Sequence, residues 1–452
     1  MVQDSFAAGR RGTALPTRRQ ILTSAGLGTL ALATPALATP ALARADRPTL
    51  SFWQFYAPGG PVAAQAQWFE DVVAKWNASN DVKVTLEYVP NDQYMNGSKL
   101  QTAFASGSGP DLFLISPGDF LRYGNARMLL DLTPYIDAAA QRDFPEQVMA
   151  TRKIAGRIYG IPMEVEPMAM YYSLAAFEKA GLGEADIPKD WDALLALGKK
   201  LTTHNRFGLL FETTPGYYQN FTWYPFLWQG GGGIQKDGKS SFNGAAAVQA
   251  LQLWQESVAS GAAPRKLLGG GAWDIVPNLA SGYCAMQNCG IWGISALRSN
   301  APSFRYGVFP LPVPKGGRPV TVGGGWAFVA NARGRDPETA GRFCAWALAS
   351  TKPDSVQRVA DWCTRAKSDM PPRTSVFAAA SAAYGSGLLK LFKDEIYPTV
   401  RGEPRVPPQV YKIISDAIQE CQLGGRSPEQ QAASASQQID DYLATYSGAP
   451  II

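Results

Sequence analysis

The sequence from 49 to 115 decides the fold class. It contains TLSFW at 49–53, VKVTLEY at 82–88 and DLFLI at 111–115, three short runs that are typical of β-strands. Apolar residues at helical spacing separate these runs, over 61–76 and near 95–104. A strand–helix–strand–helix–strand order indicates a parallel sheet that is covered on both faces. The chain is therefore predicted to have an α/β fold.

The alternation continues beyond residue 115. Helical patterns recur, among them a well-patterned one over 245–259 that Asn243 is predicted to cap. Residues 217–224 follow the turn signal Thr214-Pro215-Gly216 and are predicted to form a loop. A chain of 452 residues is long for one compact domain, so two lobes are expected.

The N-terminus has the features of an export signal. Thr17-Arg18-Arg19-Gln20-Ile21-Leu22 places an arginine pair before a mild apolar stretch that ends at Ala43-Arg44-Ala45, a small-x-small cleavage site. We interpret residues 1–45 as a cleaved twin-arginine signal, which exports a folded protein. A disordered tail with a chance Arg-Arg pair is the alternative. The expectation is a soluble periplasmic protein without a lipid anchor, because no cysteine stands at the cleavage site.

The net charge excludes one class of partner. The chain has 42 Lys and Arg against 37 Asp and Glu. Residues 1–45 hold five of the basic residues and one of the acidic ones, which leaves 37 against 36. A nearly neutral body without basic clusters lacks the electrostatic footprint of a nucleic-acid-binding protein. No nucleic-acid partner is therefore expected.

Five cysteines and one histidine limit the possible chemistry. Cys284 and Cys289 are close enough in sequence to form a disulfide, although two buried apolar thiols are the favoured interpretation. His204 lies in a polar stretch between a helix and a strand, without a second metal-ligating residue at a suitable spacing. Neither a metal nor a cofactor is expected.

One motif match is rejected. Residues 233–240, GIQKDGKS, fit the spacing of a nucleotide-binding phosphate loop. That loop requires a buried strand before it and a helix starting at its Lys-Ser, and the sequence offers neither. Its Asp-Gly pair lies between two short runs and predicts a β-hairpin instead. A glycoside hydrolase that uses Glu164 and Glu166 stays open, since residues two apart on a strand face the same side.

Aromatic residues beside turn signals point to a sugar ligand. They include Trp292 after Gly290, Trp326 after a glycine run, and the aromatic residues of 53–56 and 217–224. A flat ring covers the apolar face of a sugar, and polar side chains bind its hydroxyl groups. In open α/β sheets, ligands bind outside the carboxyl ends of strands.

Five motifs in order then establish a resemblance. They are SGSGPDLF at 106–113, YGIP at 159–162 with MYYS at 170–173, GYCAM at 282–286 with GIW at 290–292, GGGWAF at 323–328 and PETA at 337–340. The chain resembles the extracellular solute-binding proteins of family 1, the carbohydrate receptors of ABC importers, to which the maltose-binding proteins belong. The resemblance covers nearly all of the chain after residue 45.

The resemblance implies a two-lobed periplasmic binding protein fold, each lobe a mostly parallel sheet flanked by helices. The expected N-terminal lobe is 46–160 plus 305–365, and the C-terminal lobe is 161–304 plus 366–452. The chain is expected to cross between lobes near 156–166, 301–308 and 363–372. Such a receptor is a monomer without enzymatic activity that captures a sugar or polyol and delivers it to a membrane permease.

Several site residues are carried over by position. Glu166 matches an acidic residue that binds sugar hydroxyls, Tyr218 and Asn220 fall in a ligand loop, and Trp292 matches an aromatic platform. Residues 116–120 lack the Asp-Arg pair of the maltose receptor, and 407–413 lack its tryptophan, so maltose is not the expected ligand. The full predicted ligand-binding set is Trp53, Gln54, Tyr56, Ser116, Asp119, Glu166, Tyr218, Asn220, Trp223, Trp292, Gly324, Trp326 and Arg373. Arg373 also keeps open an anionic ligand, such as a glycerol phosphodiester or a sulfonated sugar.

Overall fold

The computed structural model of the protein describes residues 48–95 and 97–452. The predicted export signal lies outside the described residues. The strands are β1 (Leu50–Gln54), β2 (Val84–Tyr88), β3 (Leu112–Ile115), β4 (Lys153–Ile154), β5 (Arg157–Ile158), β6 (Ile161–Pro162), β7 (Glu166–Ser173), β8 (Gln235–Lys236), β9 (Lys239–Ser240), β10 (Met286–Gly290), β11 (Tyr306–Phe309), β12 (Thr321–Gly324), β13 (Ala327–Ala330) and β14 (Val400–Gly402).

Helices alternate with these strands, as the sequence pattern predicted. Within the described ranges no helix is both long and apolar enough to cross a bilayer. The helices are α1 (Ala63–Ser79), α2 (Asn91–Met95), α3 (Ser98–Ala105), α4 (Phe120–Asn125), α5 (Ala138–Asp143), α6 (Glu146–Met149), α7 (Leu174–Lys179), α8 (Trp191–Leu201), α9 (Tyr217–Gln229), α10 (Ala245–Ala259), α11 (Gly293–Asn300), α12 (Pro337–Cys344), α13 (Pro353–Asp361), α14 (Thr374–Ala379), α15 (Gly387–Leu391), α16 (Pro408–Gln422) and α17 (Pro428–Leu443).

The first sheet has the strand order β2-β1-β3-β13-β6. β1 is parallel to β2 and to β3, which confirms the arrangement predicted from residues 49–115. β13 lies between β3 and the edge strand β6 and runs antiparallel to both. Phe52 of β1 packs edge-on against Phe69 and Phe328, with ring centroids 5.7 and 4.8 Å apart. These rings lie in the core between the sheet and its helices.

The second sheet is built around β7, all eight residues of which are buried. β7 pairs antiparallel with β10, β11 and β12, and β12 is parallel to β14. The pairings of β7 therefore differ from the mostly parallel sheet that was expected. The buried pattern of β7 is typical of a central strand. Burial does not show whether the neighbouring strands run parallel or antiparallel to it, so the sequence pattern could not predict their direction. Helices α8, α9, α10, α16 and α17 contribute to the core beside this sheet.

The chain changes sheets at two short connections. β6 belongs to the first sheet and β7 to the second, within the predicted crossing 156–166. The return occurs between β12 and β13, at Gly325 and Trp326, and not at 301–308, because β10 and β11 both pair with β7. Gly325 has φ 117°, and a Cβ there would lie 2.5 Å from the Glu164 carbonyl oxygen, so the close passage requires glycine.

Several strands pair in a different sheet from the one that the predicted lobe boundaries imply. β6 pairs in the first sheet although it lies in the range expected for the C-terminal lobe. β11 and β12 pair with β7 although they lie in the range 305–365, expected for the N-terminal lobe. A third segment, 363–372, contacts the start of β7 through the bridge Val165↔Met370. The assignment of residue ranges to the two lobes stays a prediction.

Several local predictions are confirmed. β8 and β9 form the hairpin predicted over 233–240, and Asp237 and Gly238 at its tip have φ 53° and 75°. The positive φ of both turn residues explains the Asp-Gly pair. His204 is exposed. All five cysteines are buried free thiols, which confirms the favoured interpretation of Cys284 and Cys289.

Two local predictions are wrong. α10 has the expected bounds, but its N-cap is Gly244 instead of Asn243, and it has no side-chain cap. Residues 217–224 form the first part of helix α9 and not a loop, despite the turn signal before them and Pro225 within the helix. Every residue of α9 from Gln219 to Gln229 is buried, and this burial stabilises a helix that its local sequence does not favour.

Candidate functional site

A cavity of about 520 Å³ lies where the connections between the two sheets meet. Its wall includes the segment after β1, the start of β7, the start of α9 and the sheet-changing pair Gly325 and Trp326. The cavity is of the size of a small-molecule site. Its aromatic lining residues are Phe55, Tyr56, Tyr217, Tyr218, Phe221, Trp273, Trp292 and Trp326.

Six of the thirteen predicted site residues line this cavity, from segments that are distant in the sequence. They are Tyr56, Ser116, Glu166, Tyr218, Trp292 and Trp326.

Three rings form a continuous part of the wall, called the ring wall below: Tyr218, Phe221 and Trp292. Their centroids are 6.0 Å apart for Tyr218 and Phe221, 6.3 Å for Tyr218 and Trp292, and 6.5 Å for Phe221 and Trp292. Trp292 is fixed by its indole Nε1, which donates to the Trp273 carbonyl oxygen at 3.1 Å. The Tyr218 hydroxyl is buried and has no hydrogen-bond partner among the described residues.

A buried ionic cluster lies beside the ring wall: Lys367, Glu164, Glu166 and Asp369. The Lys367 ammonium donates to Glu166 and lies 3.2 Å from Asp369 Oδ2 and 3.7 Å from Glu164 Oε1. It also contacts the Tyr56 hydroxyl at 3.3 Å. Burial alone would lower the pKa of Lys367, but the three carboxylates raise it well above its usual value. The residue is therefore a fixed cation.

The three carboxylates of this cluster have the donor chemistry of a cation site. One oxygen of each lies within 4.8 Å of the others. Lys367 contacts all three, so its ammonium group takes the place at which a metal ion would bind. The arrangement is a buried ion-pair network, which the fold uses to join 363–370 to the start of β7.

Glu164 faces the same ammonium group as Glu166, as residues two apart in an extended segment were expected to do. Its carboxylate accepts the backbone N–H of Trp326 at 2.7 Å and the indole N–H of Trp362. Burial raises its pKa, and Lys367 opposes this shift. Glu164 is fully buried and does not line the cavity, so it fixes the sheet-changing turn rather than facing a ligand.

Two further carboxylates line the cavity, Glu403 and Asp274. Burial raises the pKa of Glu403 to about 8, while Arg152 opposes the shift and Glu166 adds to it. Glu403 follows β14, and its backbone N–H donates to the Gly323 carbonyl oxygen at 3.0 Å. Burial also raises the pKa of Asp274, against a hydrogen bond from the backbone of Val276.

Three predicted site residues near the first sheet do not line the cavity. Trp53 lies in β1 with the Lys99 ammonium 5.9 Å from its ring centroid. Gln54 is buried, and its side chain bonds both the backbone N–H and the carbonyl oxygen of Tyr56, so it positions that residue. Asp119 forms an ion pair with Arg122 at 2.6 Å.

Three predicted site residues in the second sheet and in α9 also do not line the cavity. Asn220 donates from Nδ2 to the Tyr411 carbonyl oxygen at 2.7 Å, and Trp223 is buried against Phe242. Both face the core because 217–229 is a helix. Gly324 pairs with Glu166 in the sheet, and a Cβ there would lie 2.7 Å from the Phe221 ring. Gly324 thus lets the ring wall approach the sheet.

Arg373 does not reach the cavity either. Its guanidinium group pairs with Asp143 at 2.7 Å and donates to the carbonyl oxygens of Leu348 and Ser350 at 2.9 and 3.0 Å. The side chain is 1 % exposed. Arg373 therefore holds α5, α14 and the segment near 350 together, and it offers no charge to a ligand.

Sequence reasoning missed several lining residues. Lys367 lies in the segment 363–372, which was predicted to cross between the lobes. No sequence motif distinguishes this lysine from an ordinary surface lysine, so it was not assigned to the site. Glu403 lies beside the proline-rich stretch 404–408, and Trp273 and Asp274 follow the glycines of 269–271. Aromatic and acidic residues beside glycine runs would have indicated the last two.

The family comparison agrees with this geometry. Residues 60–351, which are more than half of the chain, match the family of bacterial extracellular solute-binding proteins. The chain belongs to this family. The resemblance stated from the five motifs is therefore confirmed, and the protein is an extracellular solute-binding protein.

This solute-binding protein has similar relatives in sequence and in structure. A candidate binding protein of Brucella abortus (strain 2308) is 25 % identical over 438 residues, which are 93 % of this chain and 97 % of that one. An ABC transporter solute-binding protein of Thermotoga lettingae TMO, bound with α-D-tagatose, superposes with a TM-score of 0.74 at 22 % identity, over 87 % of this chain and 99 % of that one. UgpB of Mycobacterium tuberculosis, in complex with glycerophosphocholine, has a TM-score of 0.71 at 18 % identity, over 88 % and 98 %.

The structural likeness shows the fold of the solute-binding protein. It is the two-lobed periplasmic binding protein fold, as expected from the sequence. The cavity lies where segments of the two sheets meet, which is where ligands bind in open α/β architectures.

Proposed function

We propose that this protein captures a sugar or polyol in the cavity and delivers it to the membrane permease of an ABC importer. The ring wall offers flat apolar surfaces to the C–H face of a sugar ring. Glu166 and Lys367 line the same cavity and offer an acceptor and a donor for hydroxyl groups. The relative that binds tagatose supports the same class of ligand.

One observation carries the proposal. The ring wall and the ion pair of Glu166 with Lys367 line one cavity. A purely apolar molecule would displace water from these two polar groups and leave hydrogen-bonding capacity unmet, at a cost of about 1–3 kcal/mol. A polyhydroxylated ligand satisfies both groups and covers the rings at once.

Several expectations from the sequence also belong to the proposed receptor function. We expect residues 1–45 to direct export to the periplasm, the protein to act as a monomer without a lipid anchor, and the lobes to close on the ligand by a hinge motion. We propose that the lobes follow sheet membership, with β1, β2, β3, β6 and β13 in the first and β7, β10, β11, β12 and β14 in the second; the strand orders support this assignment.

An anionic sugar derivative is the second candidate, supported by the likeness to a receptor bound with glycerophosphocholine. The cavity lining argues against it. Lys367 is the one cation of the lining, and three carboxylates already surround it. Arg373, which the anionic hypothesis relied on, is buried elsewhere. An anion at this site would therefore meet carboxyl groups and, among the described residues, no cation that is not already paired.

A glycoside hydrolase is disfavoured by the same residues. Retaining hydrolases need two carboxyl groups on the substrate, one as an acid and one as a nucleophile. Glu164 does not line the cavity and is engaged by two N–H groups, and Glu166 is paired with Lys367. We therefore propose binding without turnover.

Isothermal titration calorimetry tests the proposal. The protein without its first 45 residues is titrated with mono- and disaccharides, polyols, sugar phosphates and glycerophosphocholine. Saturable binding of a neutral or amino sugar or polyol, without product formation, supports the proposed function. Preference for the phosphorylated compounds supports the anionic alternative, and Glu166-dependent cleavage of a glycoside supports the hydrolase.

A further inference from the structure

The charges around the cavity do not balance. Five carboxylates surround it or lie directly behind it: Glu164, Glu166, Asp369, Glu403 and Asp274. Two cations act on them: Lys367 contacts three of the carboxylates, and the charge of Arg152 lowers the pKa of Glu403 against the effect of burial. Among the described residues neither Glu403 nor Asp274 has a salt bridge. With all groups ionised, the surroundings of the cavity would carry an excess of three negative charges. Burial raises the pKa of Glu403, Glu164 and Asp369, so bound protons offset part of this excess while no cationic ligand is present.

The two unpaired carboxylates lie on different parts of the wall, with the ring wall between them. A Cβ at Gly324 would lie 2.7 Å from the Phe221 ring and 3.3 Å from Glu403 Oε2, so Glu403 is at the Phe221 end. Asp274 follows Trp273, whose carbonyl oxygen accepts the indole N–H of Trp292, so Asp274 is at the Trp292 end. A ligand that covers the rings therefore has the Glu403 carboxyl group at one end and the cavity-lining segment of Asp274 at the other.

Aromatic faces and uncompensated carboxylates are the two features that recognise an organic cation. A ring face attracts an ammonium group through its quadrupole, and a carboxylate adds a charge-assisted hydrogen bond. Burial holds the pKa of Glu403 near 8, so without a cation this carboxyl group keeps its proton at neutral pH. A ligand ammonium beside it would favour the ionised form.

We infer that the ligand is a sugar or polyol that carries a protonated amine, which Glu403 or Asp274 accepts beside the ring wall. This inference rests on the proposed function and narrows its ligand class to amino sugars and amino polyols. The hydroxyl groups are bound as in a neutral sugar, and the amine supplies the charge that the cavity lacks.

Matched pairs of probes test the inference by calorimetry at pH 7. The pairs are glucose with glucosamine, galactose with galactosamine, and sorbitol with N-methylglucamine, and N-acetylglucosamine serves as a neutral amide control. For at least one pair, the amine is expected to bind about tenfold tighter than its neutral partner, the scale of one charge-assisted contact. The N-acetyl compound is expected to behave like the neutral sugar.

Two variants locate the amine, and an exposed residue provides the control. Glu403→Gln or Asp274→Asn is expected to reduce the preference for the amine to below about threefold, because each removes one negative charge and keeps the side-chain shape. Loss of the preference in one variant only assigns the amine to that carboxylate. Asp416→Asn, in an exposed ion pair of α16, is expected to leave the preference unchanged.

The outcomes separate the inference from the proposed function. If neutral members bind as tightly as the amines, or if neither variant changes the preference, the inference is overturned while the sugar receptor stands. If no sugar or polyol of either kind binds, both are overturned. Proton release on binding the amine, measured in two buffers of different ionisation enthalpy, supports the ionisation of Glu403 and is absent in Glu403→Gln.

Discussion

Lys367 donates a hydrogen bond to the carboxylate of Glu166, and this contact joins the segment after α13 to the first residue of β7. Both side chains line the cavity, and both are buried. The same ammonium group is 3.2 Å from Asp369 Oδ2 and 3.3 Å from the Tyr56 hydroxyl. One lysine therefore holds three segments of the chain around the ligand site.

Removal of this lysine is expected to destabilise the protein strongly. Lys367→Met leaves three buried carboxylates without their cation, and the free energy of unfolding is expected to fall by about 3–5 kcal/mol. Urea unfolding followed by tryptophan fluorescence measures it. The matched control is Lys412→Met, which breaks an exposed pair with Asp416 and should cost less than about 1 kcal/mol. Equal losses in the two variants would contradict the role of the cluster.

Much of the fold was predictable, because the signals that encode it are local. The three strands within 49–115 and the helix over 245–259 have apolar residues at the spacing of their secondary structure. Each of these elements forms where its sequence pattern predicts it. Helix α9 was not predictable, because Gly216 before it and Pro225 within it are breakers. Its burial against the second core is a long-range effect that no short window of sequence contains.

The site was predictable in part, for a related reason. Aromatic residues beside glycines, such as Trp292 and Trp326, reach the cavity because a turn places them at the end of a strand. Asn220 and Trp223 were assigned to a loop. They lie instead on helix α9, from which their side chains face the protein core. Lys367 was missed, because its importance comes mainly from Glu164 and Glu166, which a distant segment supplies.

Trp292 is expected to contribute directly to ligand affinity. Trp292→Ala removes one ring of the ring wall, and the affinity for the best sugar of the calorimetric panel is expected to fall by about 1–3 kcal/mol. Trp346→Ala is the matched control, since Trp346 is also half-buried but packs against Arg358, outside the cavity. An unchanged affinity in Trp292→Ala would remove this ring from the ligand site.

Arg373 is expected to matter for stability and not for binding. Arg373→Met leaves the Asp143 carboxylate and two carbonyl oxygens without their donor, so the free energy of unfolding is expected to fall by about 3 kcal/mol. At a temperature where the variant is folded, its affinity for the panel sugar should equal that of the unchanged protein. A selective loss of affinity for anionic ligands would restore Arg373 to the site.

Stability is expected to decrease as the pH rises, because of Glu403. Burial raises the pKa of this group from its usual range to about 8 in the folded protein, so between about pH 4.5 and 8 the folded state binds more protons than the unfolded state. The stabilising contribution is complete below about pH 4.5 and is lost as the pH rises through 8.

Glu403→Gln isolates this contribution, because glutamine keeps the shape of the protonated acid and does not titrate. The unliganded protein is expected to lose on the order of 2 kcal/mol of unfolding free energy between pH 5 and pH 8, and the variant is expected to lose clearly less. The raised pKa of the buried Glu164 acts in the same direction and accounts for a residual slope in the variant. Parallel pH profiles for the two proteins, from urea unfolding at each pH, would show that Glu403 is already ionised at neutral pH in the folded cavity.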